Sequence, residues 1–189
     1  MNFGIDLDDV LGNFHTCLRL YHNNVYGTSL KVEDFKSYAQ HILGPLEESI
    51  RKVNDFQRSE YFKQIIPLTD SLDAIKVLSQ KNRLFIITAR PSFVREETER
   101  WVDQFFNGNF SGIFYSSNHY SGEPGKQKSE ICKDLGVSVM VDDSLDYLVQ
   151  CAAGGIKGVL FDYPWNQNGH LPPQITRVKN WQEALERLT

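Results

Sequence analysis

The chain has 189 residues, 41% of them hydrophobic and 12% aromatic, enough to fill the core of one domain with a modest insertion, so a disordered chain is excluded. Twenty basic and twenty-four acidic residues give a net charge of −4, which argues against a partner such as a nucleic-acid polymer or an anionic membrane and leaves small phosphorylated ligands open. No apolar run approaches a membrane span, and the widely spaced Cys17, Cys132 and Cys151 suit a reduced, cytoplasmic interior better than a disulfide framework or a zinc site.

Asn2–Leu7 is a short apolar run that reads as a buried strand, and it reaches Asp6 and Asp8 at once, so no secretory leader is expected. About seventy residues without a convincing strand follow it. Within them Val10, Phe14, Cys17, Leu18, Tyr21 and Val25 keep helical spacing, as do Leu46, Ile50, Val53 and Phe56, while Gly27, Gly44-Pro45 and Pro67 punctuate. A structureless loop of that length is improbable, so residues 13–65 are expected to form a helical cap inserted into a core of residues 1–12 and 66–189.

Strands then alternate with helices. Leu72, Ile75 and Leu78 mark a helical face before the strand Arg83–Thr88. Val94, Trp101, Val102 and Phe105 mark the next helix, with Ser92 as its cap. The strands Gly112–Ser116 and Val137–Asp142 follow, then a helix through Leu145, Leu148, Val149 and Ala152 that Gly154 and Gly155 can end. Gly158–Asp162 and Ile175–Val178 complete the strands, and Trp181, Leu185 and Leu188 suggest a closing helix. The expected fold is α/β, a Rossmann-like doubly wound parallel sheet with a small helical cap after the first strand.

In such sheets ligands bind beyond the carboxyl ends of the strands. Asp6 and Asp8 stand there after the first strand, Thr88-Ala89-Arg90 after the second, and Asp142-Asp143 after Val139-Met140-Val141. Lys126 and Lys128 precede the helical stretch Ile131–Leu135, and Lys128, opening Lys-Ser-Glu-Ile, fits the helix start better. Each alone could be a cap or a solvated charge. Together they bring carboxylates, a hydroxyl and an ammonium to one sheet edge. Carboxylates so close cannot all ionise without a cation. Hard oxygen ligands with no His or Cys nearby in sequence favour Mg2+ over zinc, and a phosphoryl group is the natural anion to bridge metal, lysine and hydroxyl.

The order Asp-x-Asp-x-Val, Thr, Lys, Asp-Asp resembles the four motifs of the haloacid dehalogenase (HAD) superfamily of phosphatases across almost the whole chain. The insert, Asp-Leu-Asp-Asp-Val-Leu-Gly-Asn-Phe and Phe161-Asp162-Tyr163-Pro164-Trp165-Asn166 are similar to the 5'(3')-deoxyribonucleotidase (cytosolic type C 5'-nucleotidase) group, although Asp9 stands where Gly is common. The resemblance implies that Asp6 attacks phosphorus to give an aspartyl-phosphate, and that Asp8 protonates the leaving alcohol and then activates water. It also implies that Asp6, the main-chain carbonyl of Asp8, and Asp142 hold Mg2+, with Thr88 and Lys128 on the phosphoryl oxygens. Asp143 would ligate through water or orient Lys128. Ala89 and Arg90 would support the site, Arg90 pairing with a second anion or with Glu96 or Glu97.

Phe14, His15, Phe35, Tyr38 and His41 are candidates to line the cap and stack on a base, with core packing the alternative for each; Trp165 and Asn166 lie near the active edge, where a packed turn explains them equally well. The reading is a magnesium-dependent phosphomonoesterase for (deoxy)nucleoside monophosphates. A phosphatase for a sugar phosphate and a non-catalytic or receiver-like phosphoacceptor domain are the alternatives, and a homodimer is left open.

Overall fold

The computed structural model describes residues 1–36, 43–117 and 124–188. Six strands form one sheet: β1 (Asn2–Ile5), β2 (Arg83–Thr88), β3 (Ile113–Tyr115), β4 (Val139–Asp142), β5 (Lys157–Phe161) and β6 (Ile175–Val178). Their order is β3-β2-β1-β4-β5-β6, every pair parallel, the classical doubly wound arrangement with β1 at the centre. The order in which the chain adds strands reverses between β1 and β4, the switch point at whose carboxyl ends a crevice opens.

Period-two alternation sorts the side chains to two faces. Phe3, Ile5, Leu84, Ile86, Val139, Val141, Val159 and Phe161 point to one face and pack with α3 (Ser71–Ser79), α4 (Arg95–Phe106) and α7 (Trp181–Leu188). Phe85, Ile87, Met140 and Leu160 point to the other, against α5 (Lys128–Asp134) and α6 (Leu145–Ala153). Gly4 lies where β1, β2 and β4 crowd; a Cβ there would sit 2.7 Å from Met140 Sδ and 2.9 Å from Ile87 Cδ1. No helix among the described residues is long and apolar enough to cross a membrane.

Between β1 and β2 run α1 (Phe14–Tyr26) and α2 (Leu46–Gln57), with short 3-10 turns at Val32–Asp34 and Phe62–Gln64. They share an aromatic cluster in which Phe14 meets Phe56 edge-on at 5.2 Å, and Phe56 meets Phe62 at 5.8 Å. Asn13 ties the two ends of this segment together: its main-chain N–H donates to the Ile66 carbonyl, and its Oδ1 accepts from the Ile66 N–H at 2.9 Å.

Several local expectations shift. Val10 belongs to the sheet's core, ahead of α1, and Val25 is exposed. Leu72 and Val149 also face out, because Ser71, Ala74, Ile75 and Leu78 form the buried face of α3, and Leu145, Leu148, Cys151 and Ala152 that of α6. Ser92 opens a 3-10 turn and α4 starts only at Arg95. The cap of α6 is Ser144, whose hydroxyl accepts from the Tyr147 N–H.

Candidate active site

Chain reversal right after β1 places the first carboxylates. Beyond Ile5 the strand hands Asp6 N–H to the Val141 carbonyl, and the backbone then coils so that Leu11 and Gly12 N–H both reach the Leu7 carbonyl. Asp9 sits in that turn at φ 57°. Asp6 is buried, and its Oδ2 accepts from the Asp8 N–H at 3.1 Å, which fixes the carboxylate against its own loop.

Lys128, the first residue of α5, reaches into the same crevice. Its side chain is 2% exposed, and Nζ lies 2.6 Å from Asp6 Oδ1 and 2.8 Å from Asp142 Oδ2. Lys126 instead pairs with Asp134 in solvent, so geometry separates the two candidate lysines. Asp142, at the end of β4, also accepts from Ser144 N–H at 2.9 Å. Carboxylate oxygens of Asp6, Asp142 and Asp143 lie within 4.8 Å of one another, the metal-competent group among the described residues. Three buried carboxylates against one ammonium leave excess negative charge, and an all-oxygen set suits a hard divalent cation.

The electrostatics carry that excess. Burial pushes the Asp6 carboxyl up to about 7, with Lys128 pulling down and Asp142 and Asp8 pushing further up. Burial, then Asp142, raises Asp143 well above the carboxylate range. For Lys128, burial opposes the charge, but Asp142 and Asp6 outweigh it and hold the ammonium well above the usual lysine range.

Thr88 ends β2, buried, with Oγ1 accepting from Arg90 N–H at 3.2 Å and its own proton available to a ligand. Arg90 reaches neither Glu96 nor Glu97 as a partner: its Nη2 lies 2.6 Å from Asp8 Oδ1, its Nε contacts both Asp8 oxygens at 3.1 Å, and Nη1 donates to Thr98 Oγ1. Glu97 pairs with Arg100. The guanidinium therefore grips the Asp8 carboxylate at the edge of the cavity.

Asp6, Asp8, Thr88, Ala89, Arg90, Lys128, Asp142 and Asp143 all border one cavity of about 160 Å³. Phe14 lines it too. Phe35 does not: it is 1% exposed within the helical cluster. Tyr38 and His41 lie outside the described residues. Trp165 and Asn166 are buried and anchor Asp143, the indole Nε1 donating to its Oδ2 at 2.7 Å and the Asn166 amide to its main-chain carbonyl at 2.8 Å. The indole bond orients the Asp143 carboxylate, while Lys128 is oriented by Asp6 and Asp142 and not by Asp143.

Sequence reasoning missed the opposite wall. Ile50, Val53, Asn54 and Gln57 of α2 face the cavity at i, i+3, i+4, i+7, one stripe of the helix. It also missed Ser144 and Tyr147, and the pairing of Asp9 with His15 Nδ1. Ser144, three residues ahead of Tyr147 and opening an apolar helical stretch, carried a readable cap signal; the others did not.

The family model described as "5' nucleotidase, deoxy (Pyrimidine), cytosolic type C protein" matches residues 1–188. The Bacillus subtilis protein named "Putative nucleotidase YqfW" is 25% identical over 190 residues, covering 98% of this chain and 92% of that one. Among solved structures, a haloacid dehalogenase-like family hydrolase from Streptococcus pneumoniae superposes with a TM-score of 0.71 at 14% identity, over 100% of this chain and 98% of that one. The Bacillus subtilis protein described as "the putative HAD-hydrolase YfnB", solved bound to magnesium, superposes with a TM-score of 0.66 at 14% identity, over 99% and 97%.

Proposed function

The chain belongs to the cytosolic type C 5'-nucleotidase family of HAD-like hydrolases, and from that premise we propose a magnesium-dependent phosphomonoesterase that dephosphorylates (deoxy)nucleoside monophosphates through an aspartyl-phosphate. The observation that carries the proposal is Lys128 held between Asp6 and Asp142 in a cavity that also contains Asp8 and Thr88.

A carboxylate oxygen of Asp6 attacks phosphorus and the ester P–O bond breaks, the leaving alkoxide taking a proton from Asp8. Asp8 then takes a proton from water, whose oxygen attacks phosphorus, and the acyl-phosphate P–O bond breaks to return Asp6 and free phosphate. Arg90 contacts both Asp8 oxygens and fixes that carboxylate beside the cavity. Lys128 and the Thr88 hydroxyl hold phosphoryl oxygens, where preorganised donors are worth most. Asp6, Asp142, Asp143 and the Asp8 carbonyl would hold Mg2+, which when bound neutralises phosphoryl charge as a Lewis acid. Phosphate release measured across nucleoside monophosphates and sugar phosphates tests the reading; sugar phosphates turned over far faster than every nucleotide would overturn it.

The charged cluster makes stability depend on pH and metal together. The folded-state carboxyl of Asp6 is raised from 3.8 to about 7, so the fold holds a proton there that the unfolded chain has released. The contribution is fully present below the unfolded value and lost as pH rises through the folded one. The metal-free protein therefore melts lower at about pH 8 than at about pH 5, and magnesium, binding the ionised cluster of the fold, offsets that loss. Thermal midpoints in chelator and in magnesium check this; identical pH profiles in both would speak against the site.

The stripe of α2 is assigned to the leaving group, residues 13–65 acting as the cap over the site. Ile50 and Val53 offer apolar surface for a base while Asn54 and Gln57 offer amides. Ile50→Ala with Val53→Ala is expected to raise the KM for a nucleoside monophosphate about fivefold, the worth of roughly 1 kcal/mol of lost apolar contact, and to raise that for a short alkyl phosphoester less. Equal effects on both substrates would remove α2 from substrate binding.

A further inference from the structure

His15 borders the same cavity without any part in the chemistry above, and its ring is held by a carboxylate and three aromatic rings. The Asp9 carboxylate accepts from the His15 main-chain N–H at 3.1 Å and pairs with Nδ1 of the ring. The imidazole stacks on Trp165 with centroids 4.0 Å apart and planes 22° apart, and Phe14 and Phe35 meet it edge-on at 5.7 and 5.4 Å. Trp165 is itself held by Asp143 and by stacking on Tyr163 at 4.4 Å. Orientation and plane are therefore set before any ligand arrives. Yet among the described residues Nε2 is buried with no hydrogen-bond partner, a costly state for a polar atom that calls for a partner from outside the protein.

Asp9 adds a second observation. Its φ of 57° lies in the region that favours glycine, and non-glycine residues persist there when their surroundings require them. What its side chain does in that position is hold His15.

We propose that His15 is a substrate-binding residue whose Nε2 accepts a hydrogen bond from a sugar hydroxyl of the leaving nucleoside, with Asp9 as its positioning residue. A carboxylate on Nδ1 places the ring proton there, and the neutral imidazole then presents Nε2 as an acceptor. An acceptor is wrong for phosphoryl oxygens, which Lys128 and Thr88 can serve, and right for an O–H on the alcohol side of the ester. A buried site built for a hydroxyl discriminates strongly against the analogue that lacks it. The inference rests on the nucleotidase reading, and the test separates the two.

The experiment compares kcat/KM for thymidine 5'-monophosphate, its 3'-deoxy analogue and para-nitrophenyl phosphate in wild type, His15→Phe and Asp9→Asn. Phenylalanine keeps an aromatic ring against Trp165 and removes both nitrogens. The wild type is expected to prefer thymidine 5'-monophosphate over the 3'-deoxy analogue about tenfold, the worth of one neutral hydrogen bond, and His15→Phe to lose that preference. Asp9→Asn keeps an acceptor for the His15 amide and should lose part of it. Equal turnover of the two nucleotides by the wild type, which needs no variant to fold, overturns the inference and leaves the nucleotidase reading standing. A His15→Phe preference as strong as the wild type's also overturns it, because the ring nitrogen then reads nothing. Wild type that hydrolyses para-nitrophenyl phosphate but neither nucleotide overturns the nucleotidase reading, and this inference with it.

Discussion

An Asp6→Asn variant is expected to fold like the wild type and to release phosphate at no more than about 10⁻⁴ of its rate. Asparagine has the shape of the aspartate and none of its charge, so it occupies the same loop and offers no anionic oxygen to phosphorus. The fold should tolerate the change because Lys128 keeps Asp142 as a partner. At about pH 8 the metal-free variant should melt no lower than the wild type, since an ionised Asp6 is disfavoured in the fold and its neutral isostere is not. Magnesium should raise its midpoint less than it raises the wild type's, because one ligand has lost its charge. Phosphate release with melting curves in chelator and magnesium reads all three. Turnover near the wild-type rate would show that another group attacks phosphorus, and a receiver-like or binding role would gain if the wild type itself released nothing.

The candidate set around the cavity was legible because each member follows an apolar run that reads as a buried strand, or opens the helix before one. In a parallel sheet those ends converge, so Asp6, Thr88 and Asp142 meet in one cavity although up to 136 positions separate them (142 − 6). The choice of Lys128 followed from the helix start. The cavity's far wall was not legible. Ile50 and Val53 read as a core face, because helical periodicity reports which side of a helix is apolar and not whether that side meets protein or a cavity. Within the same helix Leu46 points out and Lys52 packs in, its ammonium donating to the Leu43 carbonyl. Arg90 was equally hidden. Glu96 and Glu97 are near in sequence, but the acidic loop after β1 is nearer in space and better buried, and a bidentate contact to a carboxylate outweighs an exposed pair. Phe35 is a candidate through its aromatic character and Trp165 through its place after the fifth strand, each with packing as the alternative; both rings pack against His15.

Replacing Lys128 by methionine should cost more stability than any exposed charge in the chain and remove most activity as well. The side chain is almost wholly buried, between two carboxylates and over the Tyr147 ring at 4.6 Å. Methionine fills a similar length of apolar stem but leaves Asp6 and Asp142 facing each other without a counter-charge. Breaking a buried pair in this way costs about 3–5 kcal/mol. For a chain of this size each kcal/mol lowers the midpoint by roughly 2–4 °C, so a fall of about 10 °C is expected in chelator near neutral pH. Two conditions should shrink that fall. Acidification toward pH 5 lets Asp6 keep its proton, which relieves the repulsion, and magnesium supplies positive charge to the same oxygens. Activity behaves differently, because a metal that restores the fold does not restore the ammonium on the phosphoryl oxygen. A loss of roughly 10²–10³ in kcat should persist in saturating magnesium. Lys126→Met is the matching control, since that side chain lies in solvent against Asp134 and should leave both midpoint and turnover near the wild type. If Lys128→Met melted with the wild type at every pH and kept its turnover, the charge balance assigned to this site would be wrong.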